Sequence, residues 1–288
     1  MQTLRSVRDS ADRARVGIGH FNISDLVALN AVVSAAREVG VPVIVGVSES
    51  EREFMGVREV AALVHAVREE SSHPVFLNAD HTHTLEKAEE AARAGFDSIV
   101  FNGSALPFDD NVRETARAVE AVRSIADSMV VEGEVGFIGS GSEIHDSAPD
   151  AARILTTTEE ATQFVAATRV DVLAPAVGNM HGMLRQMVRG EAEKHLNIAR
   201  IAAIKQAVHL PMTLHGGSRT KNDDLRQAVK AGMTIVHINT ELRLAWRRGV
   251  EAGLAAHPEE VAPYKILPAA VQAVHDVVRD RLRLFNAP

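Results

Sequence analysis

The stretch VFLNADHTHT, residues 75–84, delivers an Asp and two His directly after an apolar run. Asp80, His81 and His83 can act there as metal ligands or proton-transfer groups, or as turn and helix-start residues facing water. Further along, His181 stands in GNMHG (178–182), His215 opens HGGS (215–218) and His237 opens HINTE (237–241). The chain has no cysteine, so disulfides and thiolate sites are excluded and any metal falls to His, Asp and Glu. The imidazoles of His81, His181 and His215 together make a zinc-type site with an open fourth position, which suits catalysis better than structure. Gly216 and Gly217 let the backbone approach a ligand closely, and Ser218 adds a hydroxyl. Asn239 and Thr240 lead into the following helix, and backbone amides at a helix start with hydroxyls nearby are what a phosphate dianion needs.

These residues need a scaffold that brings them together. Eight short β-branched runs read as strands: 16–22, 41–48, 74–80, 96–102, 129–135, 170–177, 210–216 and 233–239. Between them lie apolar positions at helical spacing, such as Leu26, Leu29, Val32, Val33 and Ala36 after Ser24. AREVGVPV, AARAGFDSI and AVKAGMTIV each end a helix at Gly before the next strand. Strand alternating with helix eight times predicts an α/β fold, a (β/α)₈ TIM barrel, with a doubly wound open sheet as the rival. In a barrel the chemistry sits at the C-terminal strand ends, and that is where Asn78, Asp80 and His81, Glu132 and Glu134, His181, His215, and His237 with Asn239 fall. His65, His73, His145, His195, His209, His257 and His275 lie in helical or linker segments and read as structural. His83 reads as a helix-start residue.

Composition sets limits on partners. The 288 residues are 46% hydrophobic and 24% charged, with no low-complexity linker, which predicts one barrel domain over 1–288 with a C-terminal helical extension. A net charge of −7 argues against nucleic acid or an anionic membrane as the main partner, but not against one small anion. The first twenty residues have no apolar leader segment and no run is long enough to span a membrane, so a cytoplasmic enzyme is expected.

FN at 21–22, NADH at 78–81, FNGSALPFDDN at 101–111, VEGEVG at 131–136, GNMHG, LHGGS at 214–218 and HINTEL at 237–242 stand in one order and spacing. In this the chain resembles the class II, zinc-dependent ketose-bisphosphate aldolases across nearly its whole length. The resemblance implies that His81, His181 and His215 hold one Zn²⁺ and that Glu134 contacts the metal in an alternative position. Asp80 is then the proton-transfer residue, and Glu143 stands near the place of a mobile-loop glutamate. It implies further that Gly182, Gly216, Ser218, Asn239 and Thr240 surround the phosphate of a dihydroxyacetone-phosphate half, with Asn22 and Ser48 near the other half of the sugar. A monovalent cation and a homodimer or homotetramer also belong to this expectation. The chemistry suits the residues: C–C cleavage beside a carbonyl leaves an enediolate that a Lewis acid stabilises, and a carboxylate takes the C4 hydroxyl proton.

The chain also departs from that pattern. The family usually has His at Asn78, Gly at Thr82, Asn at His237 and Gly at Arg219; Glu143 falls one residue late, and HGMLRQM lacks the usual aromatic-lysine pair. Metal and phosphate groups match while groups near the reacting carbons change, so a phosphorylated ketose other than fructose 1,6-bisphosphate is expected, with an acidic distal group. His237 and Arg219, beside the phosphate groups, are the residues expected to set that choice. The alternatives are a metal-dependent hydrolase on a barrel and a non-catalytic sugar-phosphate-binding protein.

Overall fold

A computed structural model of the chain describes residues 2–139, 141, 143–146 and 155–287. Its strands are β1 (Ile18–Asn22), β2 (Val43–Val47), β3 (Val75–Thr82), β4 (Ser98–Phe101), β5 (Val130–Val135), β6 (Ile144–His145), β7 (Val172–Pro175), β8 (Met183–Leu184), β9 (Met212–Leu214) and β10 (Met233–Ile238). All but β6 and β8 form a closed barrel. Closure is made by β1, which pairs in parallel with β2 on one side and β10 on the other. An open doubly wound sheet is thereby excluded, and the fold is a (β/α)₈ barrel. The eight expected runs each coincide with a barrel strand, trimmed by a residue or two at most ends. The small parallel pair β6–β8 was not expected; it joins the loop after β5 to the loop after β7.

The barrel strands are covered by helices outside and filled inside, which is why they read as near-continuous apolar runs rather than alternating ones. Phe21, Leu77, Ile99 and Leu214 pack in one cluster with helix residues such as Leu29 and Phe164, all fully buried. A second cluster closes the barrel floor. There Leu4, Val7 and Ala11, on one face of α1 (Leu4–Ala14), meet the strand-start residues Ile18, Phe76 and Ile235. At the C-terminal end α13 (Pro268–Phe285) lies on α2 (Leu26–Val39) and α11 (Thr240–Ala256). Its buried stripe Ala270, Val274, Val278, Leu282 follows one helix face at a spacing of four. Among the described residues no helix is long and apolar enough to cross a membrane.

One irregularity matters for the chemistry. The pairing of β3 with β4 shifts between Ala79 and Thr82, so β3 carries a bulge, and His81 within it takes φ +43°. Adjacent strand residues normally point to opposite faces; the bulge re-aims one of them. Asp80 and His81 therefore serve the same site.

Candidate active site

Three imidazoles meet at the C-terminal rim. His81 comes from the β3 bulge, His181 from the loop after β7 and His215 from the residue after β9. Their ring centroids lie 4.6, 4.9 and 5.6 Å apart. With Glu134 they form a group whose ligand atoms all fall within 4.8 Å of one another. His81 Nε2 lies 3.3 Å from His215 Nδ1. Two nitrogens on one tetrahedral zinc, each about 2.0–2.1 Å from the ion, sit roughly 3.3 Å apart. His181 Nε2 is buried with no hydrogen-bond partner among the described residues, and burial holds this ring well below the usual imidazole range, hence neutral and ready to ligate. The donor set fits a divalent metal.

A surrounding layer orients these ligands. Glu132 and Glu134, two apart on β5, face the same interior. Glu132 accepts from His215 Nε2 at 2.6 Å and from Thr213 Oγ1 at 2.5 Å. Burial pushes His215 down, but the bond and charge of Glu132 prevail and raise it to about 9. Asn102 Nδ2 lies between His81 Nδ1 (2.8 Å) and Glu134 Oε2 (3.1 Å), and Ser104 Oγ donates to Glu134 Oε1.

Asp80 is 3% exposed. Asn22 Nδ2 donates to its Oδ2 at 2.9 Å, while Oδ1 has no hydrogen-bond partner among the described residues and stands 3.5 Å from His237 Nδ1. Burial pushes this carboxyl up, and the surrounding rings of His81, His237, His20 and His215 more than offset it, so it stays well below the usual carboxylate range. An ionised carboxylate with one free oxygen is a proton acceptor. Its backbone is held from below: buried Arg52 donates to the carbonyls of Val47 and Asp80 and to Thr82 Oγ1. Thr82 thus has a task where the family's Gly has none. Glu51 ties Asn22, Ser48 and Arg243 together.

At the opposite wall, Gly182, Gly216, Ser218, Asn239 and Thr240 line a small recess shared with Asn22, Asp80, His81, His181 and His237. Ser218 Oγ accepts from the backbone N–H of Asn239 and of Glu241, which places the N-terminus of α11 at the recess. Asn239 Oδ1 is buried without a hydrogen-bond partner among the described residues. Arg219 lies elsewhere: with φ +58° and its N–H on Glu241, it turns its guanidinium towards Gly190 and lines neither cavity of this rim. The recess opens into a cavity of about 460 Å³ reaching Ser48, Glu143 and Arg243. Ser48 also caps α3 (Glu49–Met55), and Glu143 is exposed at the mouth. His83 precedes Thr84, the N-cap of α5 (Leu85–Ala94), and stays outside the metal group.

Several site residues escaped sequence reasoning. His20, on β1, is fully buried and stacks on His237 with centroids 3.4 Å apart and planes 4° from parallel. Asn78 Nδ2 donates to His20 Nε2, and Ser98 Oγ donates to Asn78. Burial drives His20 down to about 4 and His237 well below its usual range, so the stack joins two neutral rings. Gly46 makes room for it, since a Cβ there would lie 2.1 Å from His20 Cε1. His20 stands two residues before Asn22 at a strand end, so the rule that found the other histidines applies to it as well. Lys194, Arg52 and Glu51 carry no such signal: each lies outside the strands and is brought in by tertiary packing.

Three rim imidazoles with Glu134, a buried carboxylate and a helix N-terminus at one recess fit an aldolase that uses a metal, and the family comparison agrees. The family model described as class II fructose-bisphosphate aldolase matches residues 2–288, and the chain belongs to that family. It is an aldolase, a lyase; the family is generally metal-dependent. The chain is 32% identical over 288 residues to the probable fructose-bisphosphate aldolase of Bacillus subtilis (strain 168), covering 99% of this chain and 97% of that one. It is 29% identical over 283 residues to the sulfofructosephosphate aldolase of Alkalicoccus urumqiensis, covering 98% and 96%. The solved YdjI aldolase from Escherichia coli K12 shares the fold at TM-score 0.83 and 24% identity, covering 99% of this chain and 97% of that one.

Proposed function

We propose that the chain is a zinc-dependent aldolase that cleaves and forms a C–C bond of a phosphorylated ketose, and that fructose 1,6-bisphosphate is not its best substrate. The observation that carries this reading is the convergence of His81, His181 and the free oxygen of Asp80 on one recess whose far wall is the N-terminus of α11, with buried His215 completing the ligand group behind it. Zinc, when bound, supplies Lewis-acid stabilisation of the negative charge that develops beside the ketone. Asp80 Oδ1 takes the proton of the C4 hydroxyl, with Asn22 fixing the carboxylate and Arg52 its backbone. Glu143 at the mouth exchanges the proton at the carbon end. Gly182, Gly216, Ser218, Asn239 and Thr240 hold the phosphate of the dihydroxyacetone-phosphate-type half.

The distal end supports the substrate claim. Arg243 lines it beside Ser48 and Ser50, but so do Glu49 and Glu53. One guanidinium among carboxylates suits a monoanionic distal group, such as a sulfonate or carboxylate, better than a phosphate dianion. A relative named sulfofructosephosphate aldolase is in keeping with that. The test is kcat/KM over a panel of ketose phosphates, including fructose and tagatose 1,6-bisphosphate and a 6-sulfo ketose 1-phosphate, with and without zinc. Fructose 1,6-bisphosphate as best substrate, at about 10⁴ M⁻¹s⁻¹ or above, overturns the substrate claim. Zinc retained with no cleavage of any member favours a non-catalytic sugar-phosphate-binding protein.

A further inference from the structure

Lys194 stands directly behind this site and lines neither of its cavities. It is 5% exposed. Its Nζ donates to three main-chain carbonyls, Met180 at 2.7 Å, Gly182 at 2.6 Å and Gly216 at 2.9 Å. Burial pushes this amine down to about 7, but the geometry selects the charged form: a neutral amine has two N–H donors, an ammonium has three, and three are used. Two of these carbonyls flank the metal-site residue His181, and the third follows His215. The backbone of Lys194 is fixed as well: its N–H donates to Arg219 and its carbonyl accepts from Lys221, on either side of Thr220 in the loop after Ser218.

The carbonyls face one another because the chain turns sharply there. Gly182 and Gly216 both take positive φ, +67° and +63°. A Cβ on Gly216 would lie 2.2 Å from the carbonyl oxygen of Met180, so the two loops touch backbone to backbone. Three carbonyl dipoles aimed at one buried point repel one another unless a cation sits among them. Such a cage of carbonyl oxygens is what a free potassium, sodium or ammonium ion also accepts.

We propose that Lys194 is a positioning residue, a built-in monovalent cation that locks the loop of His181 to the loop of His215 and so preorganises the metal site. This rests on the proposed reading of those histidines as metal ligands. Two consequences follow: the protein as it stands needs no free monovalent cation, and shortening Lys194 opens a cage that a free one can fill.

The experiment measures zinc affinity by competition with a chromophoric chelator, which needs no turnover. The unaltered protein should bind zinc equally in potassium, sodium, ammonium and tetramethylammonium chloride at one ionic strength. Lys194→Met should weaken zinc binding about tenfold or more in every salt, because its thioether fills the space without charge. Lys194→Ala should be as weak in tetramethylammonium chloride and regain most of the loss in ammonium or potassium chloride. A strong potassium dependence of the unaltered protein overturns the proposal, as does unchanged zinc affinity in folded Lys194→Met. Failure of ammonium and potassium to restore Lys194→Ala also overturns it, and if that variant melts below assay temperature, the same salts must raise its melting temperature. Failure of the aldolase reading shows differently: zinc binding and its rescue persist while no ketose phosphate is cleaved. Failure of the zinc reading itself appears as no zinc bound by the unaltered protein.

Discussion

Two halves of this barrel mouth are built from similar residue types and differ in how closely they follow the family pattern. The half around His181, His215 and Ser218 keeps the metal and phosphate groups that the resemblance implies, with glycines at tight turns, a hydroxyl at the α11 N-terminus and imidazoles a ligand spacing apart, although Arg219 and HGMLRQM depart from the pattern there as well. The half around β1, β3 and β10 is rebuilt. There His237, Asn78 and His20 form one connected unit, with Gly46 shaped to receive it. In this chain the residues at 78 and 237 are linked through His20: its ring stacks on His237, and the Asn78 amide satisfies the nitrogen it presents.

The sharpest break in the comparison comes from the matched half. His181→Ala or His215→Ala should abolish zinc binding and reduce cleavage to background, since two nitrogens do not make a closed coordination set. Elemental analysis after zinc reconstitution reads the first and a coupled aldehyde assay the second; one full equivalent of zinc in either variant would place the metal elsewhere. Asp80→Asn tests where the halves meet. It should keep the metal, because Asp80 lies outside the group formed by His81, Glu134, His181 and His215, yet lower kcat by about 10²–10⁴. An unchanged kcat would move the base to Glu143.

The metal and phosphate groups were also the legible part of the site. His81, His181 and His215 follow from strand ends plus the absence of cysteine, and the phosphate wall from glycines and a helix start. The barrel itself was readable because its strands, buried on both faces, stand out as apolar runs. Less of the support was readable. The bulge that turns His81 inward depends on the pairing of β3 with β4, a non-local fact, and Arg52 and Lys194 acquire their roles only when the loops they bind are folded. Arg219 illustrates the opposite case: its position suggested a phosphate contact, and its positive φ carries the guanidinium away from the recess.

pH sharpens the account of the matched half. Without metal, His215 is held up to about 9 by Glu132, above its ordinary 6.5. A raised imidazole stabilises the metal-free fold fully below about pH 6.5, and that contribution is lost as pH rises through about 9. Zinc must displace the same proton, so its affinity should rise with pH by up to tenfold per unit between about pH 7 and 9. Isothermal titration in buffers of different ionisation enthalpy reads the proton release; no release at pH 7.5 would mean the bond to Glu132 does not hold the proton. The rebuilt half has a packing test. Gly46→Ala should cost about 1–3 kcal/mol of stability through overpacking against His20, and in a His20→Ala background most of that cost should vanish. Equal costs in both backgrounds, by chemical denaturation, would show that the glycine serves something else.

The smallest expected effect bears most directly on why the halves differ. His237 lines the recess with one edge while its face is pinned by His20, and its Nδ1 stands 3.5 Å from the free oxygen of Asp80. An imidazole there is larger and stiffer than an amide and offers a single neutral donor, so it constrains which hydroxyl arrangement reaches Asp80. His237→Asn restores a compact amide and replaces no proposed metal or phosphate group, although the ring it removes also packs on His215 with centroids 4.1 Å apart. The change should lower kcat/KM for the preferred ketose phosphate and raise it for fructose 1,6-bisphosphate, shifting their ratio by about tenfold, the worth of one well-placed hydrogen bond. Zinc affinity should stay the same, which separates this effect from damage to the metal site. Pairing it with His20→Ala sharpens the reading: if His20 acts only by holding His237, the two substitutions together should shift the ratio no further than His237→Asn alone. A ratio that does not move with His237→Asn would leave the stack as interior packing and assign substrate choice to the distal wall of Ser48, Glu53 and Arg243.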